Sequence, residues 1–460
     1  MPVTPAPAPT ESRTWTECIA VWALLALFFE VGLNLVNHRA YMGQDFYLHV
    51  HFTTQLLQHP GHWFAGDTTN RPLIFWLGGL CHRLSGGEAP YMLAALGCVV
   101  LNAAALWLLH DSARGFIASP VLRVAGLALV AFLPATLIGS VVYAGDAVAQ
   151  LPFALLGWSL LRGAGAASRR AGWGWAGLAG VALVLGNFAK FTFIVLPPAV
   201  LVILLLWRRW ERIGRGYFRA AIVCAVFAPL LAGLWLHHLN QRDVAGLPDR
   251  HQFNWAGTGE MTWSSLLLVK DTDTRIFSAP GYWDNHSEHG AIVQPLLVAN
   301  SYSYPALLQL GTFTDVLDFS RRFVTGLDVP RPEPERTFAQ WSVRGGLLFS
   351  LPALAAIIAV LVRTARARGR PAAAPADGLV AWGLLSLAWF LPLVLVLPFV
   401  HRAYDAGYWL PRLVLPALWG FGLVLFGSID RLAARHRFLI PLSALLTAGQ
   451  VWVQIRSVWY

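Results

Sequence analysis

The sequence predicts an all-α protein that crosses a membrane many times, and three observations support this. Hydrophobic residues make up 56% of the 460 residues, whereas charged residues make up 13%. Apolar runs of about 20 residues, the length that crosses a hydrocarbon core, recur along nearly the whole chain. Basic residues collect in short loops between these runs, which is a topology signal. The net charge of +10 therefore does not predict a nucleic-acid partner.

Eleven apolar runs are long enough to cross, and the first follows a Pro/Ala-rich tail. Residues 1–14 are expected to be disordered, and the run after them is too long for a signal peptide and predicts an uncleaved helix. The predicted spans are 15–36, 90–110, 120–139, 145–162, 171–187, 190–207, 217–237, 342–363, 378–399, 408–427 and 437–456.

The arginine-rich loops fix a predicted orientation. Loops 162–170, 208–219, 363–370 and 431–437 are expected in the cytoplasm, which leaves a first outer loop (37–89) and a large outer loop (238–341) on the other side. The stretch from Pro72 to Leu84 is too short to cross. It predicts a juxtamembrane or re-entrant helix packed against the segment from Asp45 to Leu57. The chain then divides into transmembrane modules 15–237 and 342–460, separated by the large outer loop.

Asp45 is the first candidate catalytic residue. It follows the first span and precedes an amphipathic stretch with His49 four residues later. A carboxylate at this membrane surface can deprotonate a hydroxyl acceptor. The structural alternative is a helix N-cap.

Asp146 and Lys190 are candidates at two other outer turns. An acidic residue at this depth is costly unless it is paired or functional, although Asp146 can also be a helix N-cap. Lys190 can hold a phosphate as a point charge, or it can extend to the interface without a function.

The large outer loop carries a cluster of aromatic, acidic and histidine residues between 281 and 289. Trp283 and His286 can contact a sugar or acceptor, and Asp284, His286 and His289 can bind a metal, although their spacing is not a strong ligand motif. An ordinary loop role is the alternative. His401 and Arg402, at the outer end of the ninth span, can approach the same site or anchor that span at the interface.

The order of these motifs resembles the GT-C superfamily of membrane glycosyltransferases. The resemblance is to the branch with the protein O-mannosyltransferases and the lipid A aminoarabinose transferases. It is carried by Asp45, Arg71-Pro72, Tyr143-Ala144-Gly145-Asp146, Ala189-Lys190-Phe191-Thr192, and a late segment from Tyr408 to Pro416 that contains Arg412. It covers the first seven spans and the tenth, and it does not cover the large outer loop.

The resemblance implies a role for each matched residue. Asp45 would be the catalytic base, with Asp146 the second acidic residue of the site. Lys190, Arg71 and Arg412 would bind the donor phosphate, and Tyr408 would contact substrate. The family often has a second acidic residue after the first-loop Asp, but Phe46 stands there, which leaves a divalent metal an open question.

The implied function is an inverting glycosyltransferase on the periplasmic face of a bacterial inner membrane. Its donor would be a polyprenyl-phosphate monosaccharide, and its acceptor a hydroxyl on a lipid, glycan or protein. Two alternatives stay open. A ligase or polymerase would use a pyrophosphate-linked donor, and a transporter or flippase of lipid-linked sugars would need ionisable residues deep inside several spans.

Overall fold

The computed structural model describes residues 14–42, 46–59, 72–86, 90–206, 214–227, 304–313, 333–366, 374–395 and 405–459. These residues are almost entirely helical and contain no β-strand. The helices are α1 (Trp15–Asn37), α2 (Phe46–Gln58), α3 (Pro72–Leu84), α4 (Pro90–Ala113), α5 (Pro120–Phe132), α6 (Pro134–Val141), α7 (Gly145–Ala164), α8 (Arg169–Ala189), α9 (Leu196–Leu206), α10 (214–227), α11 (Tyr304–Phe313), α12 (Glu333–Arg366), α13 (Ala374–Leu395), α14 (Asp405–Ala433) and α15 (Leu439–Val458).

Every predicted span coincides, wholly or in its described part, with helix. Five helices among the described residues are long and apolar enough to cross a membrane unaided: α1, α4, α8, the Thr337–Val362 part of α12 and the Val414–Ala433 part of α14. The bent pair of α5 and α6 forms a sixth candidate. The chain is therefore a multi-pass membrane protein, and the count of eleven crossings stays a prediction.

The predicted span 120–139 is not one straight helix. It bends by 58° between α5 and α6. Leu133 has an extended conformation (φ −53°, ψ 129°) and precedes Pro134. A residue before proline is pushed out of the helical region, and proline has no N–H to continue the helix. The apolar run in the sequence predicted this span but not the break within it.

Ion pairs join the helices at the end of the bundle predicted to face the cytoplasm. The Glu17 carboxylate accepts from Arg123 at 2.7 and 2.8 Å, and it lies 3.0 Å from His110 Nε2. Asp111 accepts from Trp158 Nε1 at 2.8 Å and also binds Arg162. Loops 110–120 and 162–170 therefore meet at one end.

Loop 431–437 belongs to the same end. The Asp430 carboxylate accepts from the backbone N–H groups of Ala118 and Ser119 at 2.8 and 3.0 Å. Loops 162–170 and 431–437, which the arginine pattern assigns to one side of the membrane, thus both contact the connection between α4 and α5.

The two helices of the predicted first outer loop, α2 and α3, pack against each other as predicted. α3 has the predicted bounds, from Pro72 to Leu84, and its Phe75 ring contacts His49 and Phe52 of α2 at centroid distances of 5.6 and 5.3 Å. The first outer loop therefore contributes a two-helix layer against the bundle.

Candidate active site at the outer end of the bundle

Tyr143, in the turn between α6 and α7, joins that layer to the bundle. Its backbone N–H donates to the Tyr41 carbonyl at 3.1 Å, and its own carbonyl accepts from His49 Nδ1 at 2.6 Å. Because a carbonyl can only accept, Nδ1 of His49 carries a proton. The Tyr143 hydroxyl lies 2.7 Å from Thr53 Oγ1 and 3.1 Å from the Ile74 carbonyl.

The Tyr143 hydroxyl reaches α3 because Gly78 leaves room for it. A Cβ at Gly78 would lie 1.9 Å from the phenol oxygen. Burial raises the pKa of Tyr143, so the hydroxyl keeps its proton and can donate to the Ile74 carbonyl. The Phe46 ring packs edge-on against Tyr143 and Tyr91, at centroid distances of 6.3 and 5.5 Å. Phe46, the residue after Asp45, is thus anchored to the same turn.

Asp146 and Lys190 form a direct ion pair at this end. Asp146 is the second residue of α7, and Lys190 directly follows α8. Both are buried, with 4% and 6% of their surfaces exposed. Two structural alternatives are therefore wrong: Ala144, not Asp146, is the N-cap of α7, and Lys190 does not extend to an exposed interface.

A close backbone approach brings the two charges together. A Cβ at Gly145 would lie 2.5 Å from the Ala189 carbonyl oxygen. The start of α7 can therefore touch the end of α8 only because residue 145 has no side chain. Lys190 is held in turn by its backbone N–H, which donates to the Gly186 carbonyl at 2.8 Å.

The helix ends favour both charges of this pair. The positive end of the α7 dipole faces the Asp146 carboxylate, and the negative end of the α8 dipole faces the Lys190 ammonium. Burying two charges still carries a large desolvation cost, which their attraction offsets only in good geometry. Such a pair is weak evidence for stability and better evidence for a functional site.

Several predicted site residues lie outside the described part of the chain. These are Asp45, Arg71, Trp283, His286, His401 and Arg402. Tyr408 and Arg412 belong to α14, but their side chains are outside the description. Within the described residues no three His, Cys, Asp or Glu side chains form a metal-binding group.

The buried charged side chains of the described residues all lie within about one turn of a helix end. They are Glu17, His49, His110, Asp111, Arg123, Asp146 and Lys190. Glu30 lies further inside α1, but it is exposed on the outside of the bundle. In the part of the chain that the structure describes, the buried charged residues are thus not spread along the interior of the spans, whereas a transporter of charged substrates requires such a distribution.

Sequence reasoning missed the connecting roles of Tyr143, Thr53 and Gly145. Tyr143 stands out in the sequence only as part of a motif, and nothing in the sequence around Thr53 indicates a role in the site. Gly145 directly precedes Asp146 in the sequence, but its structural role depends on a backbone carbonyl of another helix.

Comparison with known proteins gives structural neighbours only, since no family model and no curated protein matches the chain. The chain is similar to the S. cerevisiae protein O-mannosyltransferase Pmt1-Pmt2 complex bound to the sugar donor, with 18% identity and a TM-score of 0.36. That match covers 51% of this chain and 34% of the yeast chain, so the chain spans about a third of that protein's length.

Two structures of ArnT from Cupriavidus metallidurans are also similar. The apo structure has 13% identity and a TM-score of 0.36, and the match covers 89% of this chain and 76% of ArnT. The structure bound to undecaprenyl phosphate has 14% identity and a TM-score of 0.37, with 92% and 79% covered. These neighbours belong to the GT-C superfamily of membrane glycosyltransferases, the superfamily that the order of motifs in this sequence resembles.

Proposed function

We propose that this chain is an inverting glycosyltransferase that moves one sugar from a polyprenyl-phosphate donor to a hydroxyl acceptor at the periplasmic face of a bacterial inner membrane. The observation that carries the proposal is the buried pair of Lys190 and Asp146. It lies at the end of the bundle where the first outer loop packs, opposite the end closed by Glu17 and Asp111.

Lys190 is the proposed contact for the donor phosphate. An ammonium group has three N–H donors and binds phosphate as a point charge. Asp146 keeps this ammonium charged and in position inside the bundle before the donor arrives. A lipid phosphate that enters from the membrane then finds a fixed cation, and a fixed cation needs no reorganisation as charge develops on the leaving group.

Asp45 is the proposed base of the transfer step. The acceptor oxygen attacks the anomeric carbon while its proton passes to Asp45. The bond between the anomeric carbon and the phosphate oxygen breaks, and the polyprenyl phosphate leaves with the electron pair. Attack opposite the leaving group inverts the anomeric configuration. The leaving phosphate needs no general acid, because Lys190, with Arg71 and Arg412, stabilises its charge.

The remaining predicted residues are proposed to contact substrate on the outer side. Tyr408, His401 and Arg402 precede or begin α14, and Trp283 and His286 belong to the large outer loop. A lipid, glycan or protein acceptor would approach from there.

The donor proposal is tested by phosphate-lipid binding to the purified protein in lipid nanodiscs. Lys190→Met should weaken binding of undecaprenyl phosphate by roughly 10- to 100-fold, the worth of a hydrogen bond to a charged group. The single variant also removes the cation that Asp146 pairs with, which is expected to destabilise the bundle. The double variant Lys190→Met with Asp146→Asn removes both charges and should recover stability but not binding.

A control at the other end of the bundle separates the site from general charge effects. Arg162→Met removes one of the two arginine partners of Asp111 and should leave lipid binding within about twofold, because Asp111 lies at the opposite end of the bundle. If the folded double variant bound the lipid as tightly as the wild type, Lys190 would not be the phosphate contact.

A further inference from the structure

Two buried amide side chains, those of Gln150 and Asn102, belong to the helix turns next to Asp146. Gln150 is on α7, four residues after Asp146, which places it on the same helix face and about 6 Å deeper along the axis. It is 1% exposed. Among the described residues neither its Nε2 nor its Oε1 has a hydrogen-bond partner.

Asn102 of α4 contributes a third unsatisfied atom beside the same turn. Its Nδ2 donates to the carbonyls of Cys98 and Ala147, both at 2.8 Å, and Ala147 is the residue after Asp146. These two bonds hold the amide between α4 and α7. Its Oδ1 is buried without a partner in the described part of the chain.

An aromatic cluster lies deeper along α7. Phe153, one turn below Gln150, contacts Trp389 and Trp382 of α13 at centroid distances of 5.5 and 6.1 Å. Phe193 contacts Trp389 at 4.8 Å. The polar atoms of Gln150 and Asn102 thus occupy a short zone between the ion pair and an apolar layer.

Buried amide atoms without partners carry a free-energy cost of about 1–3 kcal/mol each, and folded proteins leave few of them. A ligand that supplies the partners removes this cost. Gln150 offers a donor group and an acceptor, and Asn102 Oδ1 offers an acceptor only. Hydroxyl groups both donate and accept, so they match this set. A second phosphate could use only the Gln150 amide donor and would leave both acceptor oxygens unsatisfied.

We propose that Gln150 and Asn102 form a sugar subsite that hydrogen-bonds hydroxyl groups of the donor monosaccharide when its phosphate binds Lys190. This inference rests on the function proposed above and deepens it. Such a subsite would make the site prefer a donor with one phosphate next to the sugar over a pyrophosphate-linked donor. Because Asp146 lies between Gln150 and the start of α7, the sugar passes beside the ion pair to reach the subsite.

The test compares undecaprenyl phosphate with undecaprenyl-phosphate glucose, mannose, galactose and arabinose, bound to the protein in nanodiscs. The wild type should bind at least one glycosylated lipid more tightly than the bare lipid. Gln150→Leu should reduce that preference about 5- to 10-fold, the worth of one or two hydrogen bonds. Binding of bare undecaprenyl phosphate should change less than twofold.

Thermal unfolding shows whether Gln150 has only a structural role. Gln150 makes no hydrogen bond to the described residues, so Gln150→Leu should keep or raise the Tm while the sugar preference falls. Gln454→Leu is the matched control, because Gln454 is equally buried and equally unsatisfied but lies on α15. It should leave the sugar preference unchanged.

The outcomes separate this inference from the function on which it rests. If bare lipid binds and depends on Lys190, but Gln150→Leu keeps the full sugar preference, the subsite is wrong and the donor site stands. An equal effect of Gln454→Leu, or a wild type without any sugar preference, also overturns the subsite. If the affinity for bare undecaprenyl phosphate does not depend on Lys190, the proposed function itself fails.

Discussion

At the scale of single residues, Lys190 shows how burial changes the role of a charged side chain. As an exposed lysine it would contribute little to the fold, and its removal would affect donor binding alone. Buried against Asp146, it becomes part of both the packing and the site. A single substitution at Lys190 therefore changes stability and binding together, and only the double variant separates them.

Asp45 gives the sharpest test of chemistry at this scale. Asp45→Asn keeps the shape of the side chain but removes its ability to take a proton. If Asp45 is the base, sugar transfer in membranes should fall by about 10²–10⁴, while undecaprenyl phosphate should still bind. If Asp45 is only a helix cap, the variant should be nearly silent, since Asn is among the best cap residues. An active Asp45→Asn protein would shift the base assignment to Asp146.

At the scale of helices, the contact between α7 and α8 decides whether the site exists. Gly145→Ala places a Cβ 2.5 Å from the Ala189 carbonyl oxygen, and a backbone atom cannot move aside as a flexible side chain can. The helix ends must separate, which should lower the free energy of unfolding by about 1–3 kcal/mol. Undecaprenyl phosphate binding should weaken as well, because Lys190 loses its fixed position.

The matched control for this variant is on α8 itself. Gly174 has nothing within 4 Å of an added Cβ, so Gly174→Ala should be neutral or stabilise the helix by up to about 1 kcal/mol. Thermal unfolding and lipid binding of both variants in nanodiscs measure the difference. Equal behaviour of the two alanine variants would show that the close approach at Gly145 is unimportant.

At the scale of the whole molecule, the two ends of the bundle are held together by different contacts. One end is closed by charge networks and backbone contacts around Glu17, Asp111 and Asp430. The other carries the layer of α2 and α3, the Tyr143 turn and the Asp146–Lys190 pair. The proposed substrate site thus lies at the end opposite these charge networks.

The sidedness of these ends is testable by cysteine labelling. After replacement of the four native cysteines, Ser85→Cys should react with a membrane-impermeant maleimide in intact spheroplasts. Ala167→Cys, in a loop predicted to be cytoplasmic, should react only after permeabilisation. Labelling of Ser85→Cys from the cytoplasmic side alone would contradict the juxtamembrane assignment of α3 and place the site on the wrong face.

The sequence by itself determined the helices apart from the break between α5 and α6, the short helix α3 with its packing on α2, and the placement of loops 162–170 and 431–437 at one end. These follow from local properties, since apolar length and arginine density depend on neighbouring residues only. It also indicated Asp146 and Lys190 as separate candidates. Only the tertiary structure decided that they pair with each other, that Lys190 is buried and that Gln150 lies beneath them. The partner of a charge depends on which helix ends meet, and here that depends on the missing side chain of Gly145 and the carbonyl of Ala189, which no local pattern in the sequence links.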